Sequence, residues 1–218
     1  MIRCLLSLML ATPLAAQEYI VTDGPLTDGE FYGVVSCAAR PGQGCNEPIV
    51  RWDQPVVTVG FEPMVPSYPT DLAREFDRVL DTSISQINSA APGLNLRRVA
   101  KSESAHVRLF LQPIRSGDAV RGTGYAELDG TPIGAAIVQI YWDDDMKLTE
   151  ALIAFARDIP IDQAGPIMLE ELTQAMGLMT DIRNPYYETR SVFSEDSNSV
   201  AKLGVQDRAA LRLHYPAQ

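Results

Sequence analysis

Residues 133 to 142, Ile-Gly-Ala-Ala-Ile-Val-Gln-Ile-Tyr-Trp, form an almost unbroken apolar run between Pro132 and Asp143-Asp144-Asp145. Such a run fits a strand, and a strand that is apolar on both sides needs cover on both sides. It therefore predicts a sheet with this segment in its middle. Other strand candidates are Ile49–Trp52, Pro55–Phe61, Leu94–Ala100 and Ala105–Leu111, the last with Val107, Leu109 and Leu111 on one face. Gly122–Leu128 reads as an edge strand or hairpin arm. Thr70 reads as the N-cap of a long helix, in which Leu72, Phe76, Val79, Leu80, Ile84 and Ile87 recur at helical spacing up to Pro92-Gly93. Leu148–Ala156 reads as a short helix, Gly165–Met179 as the best helix in the chain, and Gln206–His214 as the last, docked by Leu211 and Leu213. Residues 181–200 read as irregular. A strand, a long helix, further strands and then helices make an α+β chain with a mixed twisted sheet and a helical C-terminal part.

The ends and the charge narrow the class. Met1-Ile2-Arg3, the apolar run Cys4–Leu14 and the small pair Ala15-Ala16 have the form of a secretory leader, with cleavage expected after Ala16. A periplasmic or secreted location follows from that expectation. No later stretch approaches the roughly 20 apolar residues of a membrane helix. The formal net charge of −10 becomes one unit more negative when Arg3 leaves with the leader, which disfavours nucleic acid as a partner. About 200 residues remain, enough for one core. Residues 17–48, rich in Gly, Pro and Asp, read as an irregular arm ahead of a domain spanning 49–218. Cys37 and Cys45 survive processing. Their even count and the Pro-Gly and Gln-Gly steps between them favour a disulfide over a two-cysteine metal site, which has no histidine nearby to complete it.

On a helical wheel Met168, Leu169, Leu172, Ala175, Met176 and Met179 share one third of the circle, and Glu170, Glu171, Thr173 and Gln174 lie opposite. Gly177 falls where a helix can end in a left-handed residue. Taken alone, this is an amphipathic helix with a solvated polar face and a glycine stop.

The phrase Glu170-Glu171-Leu172-Thr173-Gln174-Ala175-Met176-Gly177-Leu178 nevertheless resembles the metzincin helix H-E-x-x-H-x-x-G-x-x-H. Glu170 and Gln174 stand at the first two histidine positions, Glu171 at the catalytic glutamate, Gly177 at the turn glycine and Thr180 at the third ligand, with Asp181 beside it. Ala105–Leu109 resembles the alternating strand of that fold, Ser191-Val192-Phe193 stands where its methionine turn would come, and Gly204–Leu211 resembles its terminal helix. The same phrase, with its aspartate and Ser-Val-Phe, is similar to a family of uncharacterised secreted bacterial domains. The resemblance covers roughly 49–215 and implies a metzincin-like fold.

The spacing has a chemical logic. Side chains at i and i+4 share a helix face and reach one ion. The residue after the first ligand offers a carboxylate to metal-bound water, and the glycine lets the chain return a third ligand. Here the chain has only His106 and His214, so a three-histidine zinc site cannot form. Glu170, Gln174 and Asp181 make an oxygen-only donor set, better suited to Ca²⁺ or Mg²⁺ than to Zn²⁺. Two functions follow: a non-catalytic binding or structural role towards a protein or peptide of the cell envelope, or a hydrolase with an atypical metal site and Glu171 as general base. Asp143–Asp145 reads as a solvated cap of the next helix, His106 as a surface or half-buried residue, and His214 as a packing residue. Gly122-Thr123-Gly124 reads as a hairpin device. No histidine stands near a candidate serine or cysteine nucleophile.

Overall fold

A computed structural model describes residues 19–100 and 105–217; the expected leader, Met1–Ala16, lies outside them. Among the described residues the elements run β1 (Tyr19–Val21), α1 (Asp28–Cys37), β2 (Val56–Phe61), α2 (Thr70–Ala90), β3 (Asn95–Arg98), β4 (Val107–Leu111), β5 (Ala136–Trp142), β6 (Leu148–Phe155), α3 (Ala164–Gln174), β7 (Asp181–Arg183) and α4 (Val205–His214). The α+β class is correct. Five strands form one sheet in the order β3-β2-β4-β6-β5, and β1 pairs with β7 separately. Every neighbouring pair in the large sheet is parallel except β5 with β6.

Register sets which residues share a face. Val59 lies opposite Val107 and Leu109 opposite Ile153, and Ile153 in turn opposite Val138. That apolar face meets α2, where the Phe76 ring lies 4.5 Å from that of Phe155. Its strand β5 also meets α3, which packs on α2. The other face carries Arg108 and Glu150, and the long connection from β4 to β5 folds over it. There Tyr125 donates to Glu150 Oε1 at 2.8 Å and Arg108 Nε donates to Glu62 Oε1 at 2.6 Å.

Several elements depart from the sequence reading. The apolar run ending at Trp142 forms β5 at the sheet edge, not its middle. α3 on one side and the β4–β5 connection on the other bury most of it and leave Ile137, Tyr141 and Trp142 half-buried, so cover stands in for strand pairing. Leu148–Ala156 is not a helix: Leu148–Phe155 is the strand between β4 and β5. Its Leu and Ala content suits a helix locally, but burial on both faces of the sheet overrides that preference. Asp143–Asp145 accordingly caps no helix. Asp143 Oδ1 accepts from the backbone N–H groups of Asp145 (3.0 Å) and Lys147 (2.9 Å), and shapes the exposed hairpin turn. Gly122–Leu128 is a loop, gathered by Asp129, whose Oδ1 accepts from the N–H (3.0 Å) and hydroxyl (2.8 Å) of Thr123. Ile49–Trp52 contributes a single bridge, Arg51 to Lys147. Thr70 opens α2 instead of capping it, and Pro69 holds the cap position.

Within the segment expected to be an irregular arm, 17–48, the described residues 19–48 hold regular structure. Thr27 and Glu30 form a reciprocal capping box, Thr27 N–H to Glu30 Oε2 at 3.0 Å and Glu30 N–H to Thr27 Oγ1 at 3.3 Å, and α1 follows. Its Phe31, Val34 and Val35 are fully buried, and α1 packs on α4. Cys37, the last residue of α1, stands at disulfide distance from Cys45, with Cα atoms 5.2 Å apart. Replacing both with serine frees the eight-residue loop in the unfolded state. The expected loss is about 2–3 kcal/mol, or about 5–10 °C in Tm, read by thermal unfolding with and without reductant.

Candidate functional site

Helix α3 is buried on nearly every side. Its apolar side packs into the core, and Glu171, Thr173 and Gln174 are buried as well. Of the polar face only Glu170 is half-buried, and the rest is shut off from bulk water. This face forms one wall of a cleft of about 100 Å³, roofed by β5 (Ala136, Ile137, Val138) and by Thr131, Pro132 and Gly134 just before it. Glu170, Glu171, Gln174 and Asp181 all line this cleft. The structure thus brings together the four residues that sequence reasoning selected. Thr180, the formal third-ligand position, does not line it; Asp181 takes that place.

Asp181 arrives because α3 stops abruptly. Gly177 has φ +92°, and a Cβ there would stand 2.1 Å from the Val50 carbonyl oxygen. Both the backbone conformation and the contact require glycine. The N–H of Gly177 bonds Gln174 O at 2.8 Å, and the carbonyls left open by the helix end find side-chain donors: Trp52 Nε1 to Ala175 O at 3.0 Å and Tyr215 OH to Met176 O at 2.7 Å. The chain then returns as β7, and Gln174 Nε2 donates to Asp181 Oδ1 at 2.9 Å.

The electrostatics are those of acids out of water. Burial pushes the Glu170 carboxyl well above the usual range, and Asp181, Glu171 and Glu195 add to it. Burial, then Asp181, raises Glu171 to about 8. Asp181 is raised by burial and by Glu195, against the Gln174 amide. The nearby guanidinium of Arg183 is directed at Glu195 (3.1 Å) and Asp196 (3.2 Å). Glu171, only 8 % exposed, keeps its Oε2 buried without a hydrogen-bond partner. An unpaired polar atom so placed is costly.

Neither histidine is near. His214 Nε2 faces the Val50 carbonyl at 3.0 Å and so carries the proton, while Nδ1 accepts from Tyr32 OH at 3.2 Å. Burial lowers its pKa to about 4, which fits a packing residue held neutral. His106 is half-buried, its Nδ1 accepting from Thr58 N–H at 3.0 Å. Among the described residues no three or more His, Cys, Asp or Glu side chains group to hold a metal ion. Without imidazole the donors at this helix do not fit zinc.

Two features escaped the sequence reading. The roof did, because β5 reads as an interior strand. So did Asp207, which is fully buried and accepts from Ser191 Oγ (2.6 Å), Val192 N–H (3.1 Å) and Gly204 N–H (2.7 Å), tying the turn at 191–193 to α4. The buried acid at the third position of the last helix, after Gly204, was the available signal.

Gly177→Ala is expected to cost about 3 kcal/mol or more, lowering Tm by roughly 10 °C, because it adds left-handed strain to a backbone clash. The acids also set a pH dependence. A carboxyl whose folded pKa is raised binds more protons in the folded than the unfolded state, so stability falls as pH rises through that value. His214 acts oppositely, losing stability only as pH falls from about 6.5 towards about 4. Between pH 6.5 and 8.5 the carboxyls therefore dominate. Tm is expected to fall across that window in calorimetry, and Glu171→Gln to flatten the fall.

The comparisons with known proteins agree with a domain that begins before residue 49. The sequence matches the family described as "Protein of unknown function (DUF2927)" over residues 35–218, from within α1 to the C-terminus. No curated protein matches the chain. The cleft of Glu170, Glu171, Gln174 and Asp181 lies within the matched region, and the chain belongs to the DUF2927 family.

Proposed function

We propose that this is an exported protein of the cell envelope, released by cleavage near Ala16, with a degenerate metzincin-like fold whose cleft binds a ligand instead of hydrolysing peptides with zinc. The hydrogen bond from Gln174 Nε2 to Asp181 Oδ1 carries this proposal. At the position where the resemblance implies an imidazole ligand, this chain has an amide that serves a neighbouring carboxyl. A sheet edge over the Glu170 helix, the Gly177 turn and the turn at Ser191–Phe193 tied to α4 are the features that support this kinship. Burial and Asp181 raise the Glu171 pKa, so its carboxylate lacks a compensating partner within the fold, and a ligand bound in the cleft would supply one.

One observation favours the second reading, a hydrolase with an atypical site: Glu171 lines the cleft and its Oε2 has no partner within the fold. Elemental analysis of the exported protein, joined to peptide hydrolysis by wild type and Glu171→Gln, separates the two. The binding role predicts zinc well below one per chain and no turnover that depends on Glu171. One zinc per chain, with a loss of roughly 100-fold or more in Glu171→Gln, would establish the hydrolase.

A further inference from the structure

The chemistry of the cleft selects a ligand class. Its volume of about 100 Å³ equals roughly three water-sized groups, enough for the head of one side chain and too little for a folded peptide. The wall formed by Glu170, Glu171 and Asp181 is acidic, and the roof of Pro132, Ile137 and Val138 is apolar. Such a pairing fits a charged head on a hydrocarbon stem. An anion would find no Lys, Arg or His among the residues that line the cleft. A bare metal ion is served poorly, because no three acidic, Cys or His side chains converge at ligand geometry among the described residues. An organic cation brings several hydrogen-bond donors spread over a few ångströms and tolerates separated acceptors. The vacant acceptor is present: Glu171 lines the cleft, is only 8 % exposed, and keeps its Oε2 buried with no partner.

We infer that the cleft between α3 and β5 is a receptor for an organic cation, a primary ammonium or a guanidinium, held by Glu171 with Glu170 and Asp181. This rests on the binding role proposed above and names its ligand. Two sources share that chemistry. One is a lysine or arginine side chain of a partner. The other is the chain's own α-amine after cleavage at Ala16. Strand β1 places Tyr19 directly opposite Asp181, and Met179, two residues before Asp181, lines the cleft. The chain expected after that cleavage begins at Gln17, two residues before Tyr19 in sequence.

The test uses the exported chain, with its N-terminus read by mass spectrometry, and a second form carrying a Gly-Ser extension before Gln17. Each is titrated by calorimetry and side-chain carboxyl NMR with N-acetyl-lysine amide, N-acetyl-arginine amide, the uncharged N-acetyl-citrulline amide and calcium chloride. A partner source predicts that the cationic amides bind both forms, that the citrulline amide does not, and that Glu171→Gln weakens binding at least about 10-fold. An internal source predicts that the chain starting at Gln17 melts higher than the extended form, that Glu171→Gln erases the difference, and that the amides bind only the extended form. Asp181→Asn, which keeps the acceptor for Gln174, repeats the test should Glu171→Gln fail to fold. Equal binding of the citrulline amide, stoichiometric calcium binding without amide binding, or no effect in either arm overturns the inference. An uncleaved leader in the mass spectrum counts against export alone, since the amide titrations still decide the ligand.

Discussion

The contact between Gly177 and the Val50 carbonyl governs the arrangement of this half of the molecule. With no side chain at 177, α3 can end in a left-handed residue directly against the segment that precedes β2. Trp52 and Tyr215 then reach the last carbonyls of the helix, and His214 takes up the Val50 oxygen. These bonds join the helix end, the entry to the sheet and α4 at one point. Only with the chain reversed there can β7 run back beside α3 and set Asp181 against Gln174. β7 in turn provides the edge on which β1 pairs and the bridge from Ile182 to Ser194. A side chain at 177 would disturb the cleft, the N-terminal strand and the turn below α4 together.

Much of this was legible in the sequence, and the limits have physical causes. The long amphipathic helix α2 and the glycine after α3 announce themselves, because local periodicity and backbone demand agree with their tertiary surroundings. The grouping of Glu170, Glu171, Gln174 and Asp181 was legible through the metzincin resemblance, whose i, i+4 spacing and glycine turn are geometric statements. What could not be read was cover. A wheel with Glu170, Glu171 and Gln174 on one side looks like a solvated face until something roofs it, and the roof comes from about 35 residues earlier in the chain. The same blindness to long-range contact misplaced β5 in the sheet and turned β6 into a helix. The failure at α1 differs in kind. Thr27-Asp28-Gly29-Glu30 carries a complete capping-box signal, obscured by the glycines and proline around it.

The two faces of the sheet divide the labour. The face towards α2 and α3 is apolar and supplies most of the core. The other is closed by side-chain polar bonds, with Arg108 joining Glu62 and lying near Glu150 and Tyr125 to anchor the β4–β5 connection. That connection continues into Thr131, Pro132 and Gly134, the roof of the cleft. A network on the far face of the sheet therefore holds the lid of a site on the near face. The half-buried setting of Arg108 and Glu62 makes this pair worth more than an exposed one, although still modest against the apolar core.

Two buried acids in this fold face opposite circumstances, and the contrast locates function. Asp207 is fully buried and accepts from a hydroxyl and two backbone N–H groups, so its burial is compensated by donors the fold itself provides. Glu171 is nearly as buried, has Glu170 and Asp181 for neighbours, and keeps an oxygen with no donor at all. Were the second arrangement merely structural, a single change of Glu171 to a hydrocarbon of similar size would relieve it. A chain that satisfies Asp207 so fully has the means to satisfy Glu171 in the same way. The missing donor is accounted for if it comes from outside the folded domain. An acceptor left vacant beside two further acids, under an apolar roof, is then the imprint of a ligand that carries positive charge.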